Sequence, residues 1–188
     1  MTTAFAAAFA AGDAFLASGV ASSRADYHRV VLGALGFDDP PAALLDELEE
    51  PRPAVELVEV FPDVEPALNA LKAAAVPVVV VTDNWSTIRD LYADLGLSGS
   101  IEAFVISEEL GCTKPDPRMY RAGSGALGLE PDECAFIDDD PDLVAAAIDL
   151  GYHGFVIDRA TPTRRHPVPT VTSLLEIVGL VDRSRSTP

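Results

Sequence analysis

From about Val60 onward the chain alternates short runs of Val, Ile and Phe with stretches of helical spacing. Val76–Val81, Ala103–Ile106, Cys134–Ile137 and Gly154–Ile157 read as strands. Helical patterns cover Val64–Ala74 and Ser86–Leu95, and further helices start at Asp116-Pro117 and Asp140-Pro141. A last helix is expected over about Val171–Val178. The strand runs are apolar throughout, which marks strands covered on both faces. Strands joined through helices lie parallel, because a parallel pair needs a crossover too long for a hairpin. The expected fold is α/β, a Rossmann-like open parallel sheet.

The residues before this repeat have a different texture. Phe5 and Phe9 stand one turn apart among alanines, a strong helix signal. A second helix is expected over Ser23–Leu35, ended by Gly36, and a third over Pro41–Glu49, with Pro41 in its first turn. Pro51-Arg52-Pro53 then interrupts the pattern. The expected organisation is a small all-helical lobe over 1–55, an α/β core over 56–180 and a polar tail over 181–188. At 188 residues, one compact domain with a small appended lobe is the size expected.

A formal charge of −17 disfavours nucleic acid, whose phosphates call for surplus Lys and Arg, and equally an anionic membrane surface. Cys112 and Cys134 have no metal-type spacing and read as reduced thiols of a cytoplasmic protein. The apolar run from Ala4 to Ala11 lacks a preceding basic residue, so it does not read as a secretion signal, and no run is long enough to span a membrane.

Ligand sites of open parallel sheets gather at the carboxyl ends of the strands. Three sequences stand there. Val78–Val81 runs into Thr82-Asp83-Asn84, where a hydroxyl and the following amides can donate to an anionic oxygen, although Thr82 and Asp83 can equally serve as a helix start. Lys114 sits ahead of Pro115-Asp116-Pro117, restrained by the proline that follows it, and is one of only two lysines, with Lys72. Phe136-Ile137 runs into Asp138-Asp139-Asp140-Pro141; Asp140 is explained as a helix cap, but Asp138 and Asp139 are not. Adjacent carboxylates repel unless a cation or proton neutralises them, and magnesium is commonly held by one or two carboxylates plus phosphate. Hydroxyl, ammonium and acidic pair together describe a phosphate-handling site.

In this order and spacing the motifs resemble those of the haloacid-dehalogenase-like hydrolases, over about Phe61 to Arg159. The resemblance implies that Thr82 hydrogen-bonds a phosphoryl oxygen and that Lys114 steadies the phosphoryl charge. It further implies that Asp83 and Asn84 line the substrate, that Asp139 binds Mg2+ with support from Asp138, and that the helical lobe is a cap. The implied activity is Mg2+-dependent phosphatase chemistry on a small phosphorylated metabolite. The family's further acidic or amide residue, four positions after the metal aspartate, is Leu143 here.

The family's first motif, a strand ending in Asp-x-Asp whose first Asp is the nucleophile, has no counterpart. Asp13 lies in a helical Ala-rich stretch and Asp26 in a helix pattern. In the family that strand lies between those ending here at Thr82 and Asp138, and its omission leaves two rows of backbone groups unpaired. The expectation is that the sequence lacks an N-terminal segment, and an open sheet interior favours a homo-oligomer. The alternative is a non-catalytic binding or regulatory protein of the same family. A phosphorylated receiver domain is set aside because its acidic pair comes first along the chain. His28, His153 and His166 stand in no nucleophile context.

Overall fold

The computed structural model describes residues 2–18, 23–50, 56, 58–160 and 167–185. The breaker sequence Pro51-Arg52-Pro53 lies outside them. Three helices form the N-terminal lobe: α1 (Thr2–Ala17), α2 (Arg24–Ala34) and α3 (Ala42–Glu49). Ser23 caps α2 through a reciprocal pair of bonds with Asp26, and Gly36 takes the left-handed backbone (φ 95°) that follows its end. Gly12 lets α1 and α2 cross closely, since a Cβ there would fall 2.5 Å from the Tyr27 ring and 2.8 Å from Val31.

The core runs α4 (Val64–Ala73), β1 (Val79–Thr82), α5 (Ile88–Asp94), β2 (Ala103–Ile106), α6 (Ser107–Leu110), α7 (Pro117–Leu127), β3 (Ala135–Asp138), α8 (Pro141–Asp149), β4 (His153–Ile157), β5 (Thr170–Val171) and α9 (Leu174–Arg185). All strand pairs are parallel, as the apolar runs require. Two features differ from the sequence reading. Thr170–Val171 forms a short strand on β4 rather than opening the last helix. That helix instead starts at Leu174 and continues to Arg185, into the stretch expected to be a polar tail. Two residues are too few to show strand periodicity; Val171 is fixed by burial beside Ile157 and Ile177.

The sheet is in two pieces. β1 pairs with β2, β3–β4–β5 form the other piece, and among the described residues no strand joins β1 to β3. Helix α7 spans both pieces on one face: Gly123 sits under Val81, where a Cβ would meet its Cγ2 at 2.9 Å, and the Tyr120 ring lies 4.9 Å from that of Phe136. On the opposite face α9 packs on Ile137 through the cluster of Ile157, Val171 and Ile177, and α9 also packs against α4.

A second tie on that face is Asp63, just ahead of α4. It accepts from Arg159 Nε (3.1 Å) and a terminal guanidinium nitrogen (3.0 Å), and from the Leu174 N–H (2.7 Å) at the start of α9. Between the two pieces lies a cavity of about 1750 Å³. Every residue of β1 is only half-buried, whereas Val156 of β4 is fully enclosed.

Candidate active site

β1 and β3 deliver their last residues to one place. Val79–Val81 are β-branched and hold an extended backbone, so Thr82 leaves the strand at its carboxyl end with Asp83 and Asn84 following. Asp138 is the last residue of β3. The loop before α7 closes over both: the Lys114 N–H donates to Asp83 Oδ1 (2.9 Å) and Lys114 Nζ donates to Asp138 Oδ2 (2.7 Å). One lysine thus ties the two sheet pieces through its backbone and its side chain. Side-chain exposure of 10% for Lys114 and 12% for Asp138 makes this a largely desolvated pair.

Local capping holds each motif. Asp116 caps α7 by accepting from the Arg118 N–H (2.9 Å), with Pro117 in the first turn. Asp140 caps α8 by accepting from the Asp142 N–H (2.8 Å), while its own N–H donates to Asp138 Oδ1 (3.0 Å). Both oxygens of Asp138 are therefore engaged. Asp139, the next residue, is exposed. Thr82 and both aspartates face the central cavity.

The sequence-derived residues divide into two groups. Thr82, Lys114, Asp138 and Asp139 converge. Asp83 and Asn84 are adjacent, and both are engaged in hydrogen bonds within the protein. Asp83 holds the Lys114 backbone, and Asn84 Oδ1 accepts from the Trp85 N–H (2.9 Å) while its carbonyl accepts from Ser107 Oγ (3.2 Å). Leu143 contributes its carbonyl, which accepts from the Tyr120 hydroxyl (3.1 Å). Sequence reasoning did not single out Tyr120, because an aromatic at helical spacing reads as core. Burial pushes its phenol well above the ordinary tyrosine range, and the nearby charges of Asp138, Asp83 and Asp140 add to that.

The helical lobe touches this end of the sheet. Tyr27 packs edge-on against Trp85 with ring centroids 5.1 Å apart, and the Arg24 guanidinium lies 5.9 Å from the same ring. Trp85 follows directly on Thr82-Asp83-Asn84, so the lobe contacts the loop that begins at Thr82.

Magnesium fits the donor set in a limited way. Among the described residues no three His, Cys, Asp or Glu side chains converge as a preformed cage. An exposed carboxylate beside a pre-positioned one is nonetheless the kind of partial shell that magnesium completes with water and phosphate oxygens.

The description "haloacid dehalogenase-like hydrolase" applies to a family model that matches residues 2–151. A Mycobacterium tuberculosis phosphatase is 34% identical over 116 residues, covering 61% of this chain and 54% of its own length. Haloacetate dehalogenase H-2 of Moraxella sp. is 25% identical over 128 residues, covering 64% of this chain and 57% of its own. The chain thus spans about half the length of these curated relatives. Among solved structures, an L-2-haloacid dehalogenase from Xanthobacter autotrophicus superposes with a TM-score of 0.69 at 20% identity, covering 87% of this chain and 75% of that one. A phosphatase from Thermococcus onnurineus gives 0.66 at 20% identity, with 90% and 77% covered. At that identity these two structures speak to the fold.

Proposed function

Since the chain belongs to the haloacid dehalogenase-like hydrolase family, we propose that its strand-end site handles the phosphoryl group of a small phosphorylated metabolite together with Mg2+. The observation that carries this reading is the Lys114 clamp, which sets an ammonium and a carboxylate at the shared carboxyl end of β1 and β3.

In this reading the Thr82 hydroxyl donates to a phosphoryl oxygen and Lys114 offsets the charge that the phosphoryl group brings. Asp139 holds the metal, with Asp138 in support; bound there, Mg2+ would neutralise phosphoryl oxygens as a Lewis acid. Asp83 and Asn84 serve as positioning residues that fix the Lys114 loop and the Trp85 turn. Tyr120, kept neutral, supports α8 beneath the acidic pair. The location assigned is the cytoplasm, in keeping with two cysteines that form no disulfide; no helix of the described residues is long and apolar enough to cross a membrane.

None of these groups is a free nucleophile, since Asp138 is bound by Lys114 and Asp139 is assigned to the metal. A binding or regulatory role for the 188-residue chain is therefore the second reading. The deciding experiment measures phosphate release from an aryl phosphate with Mg2+, alongside calorimetric titration of inorganic phosphate. Wild type, Lys114→Ala and Asp139→Asn are compared. Turnover abolished in both variants supports the phosphatase reading. Mg2+-dependent phosphate binding without turnover, weakened in both variants, supports the second. Phosphate binding equal in all three proteins would refute the site itself.

A further inference from the structure

Several cations of the core are taken up by a neighbouring carboxylate. Lys114 is paired with Asp138 (2.7 Å), Arg118 with Asp116 (2.8 Å), Arg159 with Asp63 (3.0 Å) and Arg89 with Glu109. Arg24, in the first turn of α2, is held differently. Its Nε stands 3.6 Å from Glu49 Oε2, beyond hydrogen-bond distance, while Glu49 Oε1 lies 2.8 Å from His28 Nδ1. The guanidinium carbon is 5.9 Å from the centre of the Trp85 ring, a cation–π contact. Among the described residues its terminal nitrogens form no hydrogen bond. With 37% of the side chain exposed, the donor fork is open to a ligand.

Its place is set by Trp85. That residue follows Thr82 by three positions, so their Cα atoms are at most about 11 Å apart even in an extended chain. Tyr27, three positions along α2 from Arg24, meets the same ring edge-on with centroids 5.1 Å apart. This contact keeps α2 against the indole, and with it the guanidinium beside the loop that begins at Thr82. The charges around the strand ends leave room for such a cation. Asp83, Asp138 and Asp139 are set against one ammonium, that of Lys114, so a ligand with a second anionic group needs another positive charge at close range. A planar guanidinium presents two parallel N–H donors, which match the two oxygens of a carboxylate. One guanidinium with Glu49 nearby balances the single charge of a carboxylate better than the double charge of a second phosphoryl group.

We propose that Arg24 is a specificity-determining residue, whose guanidinium binds the carboxylate of a ligand held by its phosphoryl group at Thr82 and Lys114. The ligand class is then a short-chain phosphorylated carboxylic acid, favoured over a phosphorylated polyol of the same length. This assignment rests on the phosphate-site reading above and adds the second point of attachment to it.

The test is calorimetric titration of the 188-residue protein, with Mg2+, by 3-phosphoglycerate and by glycerol 3-phosphate. The two probes share a three-carbon chain and differ in a carboxylate against a hydroxymethyl group. Wild type is expected to bind 3-phosphoglycerate about tenfold more tightly or better, as a charge-assisted bond implies. Arg24→Met should weaken 3-phosphoglycerate alone and bring the two probes within about threefold, with Arg24→Lys between, because an ammonium keeps the charge but loses the fork. Arg29→Met removes the same charge further along α2, where Arg29 is bonded to Asp26 (2.9 Å), and should keep the wild-type ratio. Thermal melting of each variant checks the fold; if Arg24→Met is unfolded, the reduced ratio of Arg24→Lys decides. The assignment is overturned, with the phosphate site left standing, by equal affinities in wild type when glycerol 3-phosphate still depends on Lys114. A preference that survives both Arg24 variants, or one lost equally in Arg29→Met, overturns it too. If neither probe binds, or Lys114→Ala weakens neither, the phosphate-site reading fails and takes this assignment with it.

Discussion

Replacing Asp63 with alanine tests how the two sheet pieces are held together across the cavity. The carboxylate accepts two bonds from Arg159, one from the Leu174 N–H and one from Ser173 Oγ at 3.3 Å, with only 12% of its side chain exposed. Loss of a bond to a charged partner costs about 1.5–3 kcal/mol, and loss of a helix cap about 1 kcal/mol. Arg159 offsets part of this, because it is 23% exposed and stacks 4.3 Å over Phe61, so it can regain water without leaving its place. The expected destabilisation is about 3 kcal/mol, which for a chain of this size lowers the melting temperature by roughly 6–12 °C.

The pH dependence adds a stricter criterion. Burial alone would raise the Asp63 carboxyl, but the Arg159 bonds and the Leu174 N–H outweigh it and hold it below its ordinary 3.8. A carboxyl depressed on folding contributes stability that is fully present above its unfolded pKa and is lost as pH falls through the folded one. The gap between wild type and Asp63→Asn in urea unfolding should therefore be constant from neutral pH to about 5 and shrink below about 4. Equal midpoints at pH 7, or a gap that persists undiminished at the acid end, would refute the assignment of Asp63 as a charged tie.

Further outcomes follow from other contacts. Lys114→Met should cost about 2–3 kcal/mol in denaturant unfolding, because Asp138 keeps a desolvated charge with the Asp140 N–H as its one remaining partner among the described residues. Adding Asp138→Asn should recover at least about 1 kcal/mol of that, a coupling that a solvated surface pair would lack. Gly123→Ala forces a Cβ within 2.9 Å of Val81 Cγ2 and should destabilise by about 1–2 kcal/mol, less in a Val81→Ala background where the clash is gone. In an ultraviolet titration Tyr120 and Tyr92, both raised by burial above the ordinary 10.0, should ionise only well into the alkaline range, and Tyr120→Phe should remove one late-ionising group. That variant also loses the bond to the Leu143 carbonyl, at a cost of about 1 kcal/mol.

Much of this protein is local and therefore legible in its sequence. Apolar runs alternating with helical spacing require a covered parallel sheet, and Asp116-Pro117 and Asp140-Pro141 start helices where their capping chemistry says they should. That Thr82 and Asp138 close their strands was readable from the apolar runs before them. What the tertiary structure decided depends on contacts between segments far apart along the chain. Asp83 reads as a substrate contact, yet it grips the backbone of Lys114, a partner 31 positions away. Asp63 meets Arg159 across 96 residues, and Thr170–Val171 becomes a strand only because β4 offers an edge. The divided sheet is the same kind of result: strand periodicity says which faces are buried, but which edges find partners is settled only when the strands are brought together in space.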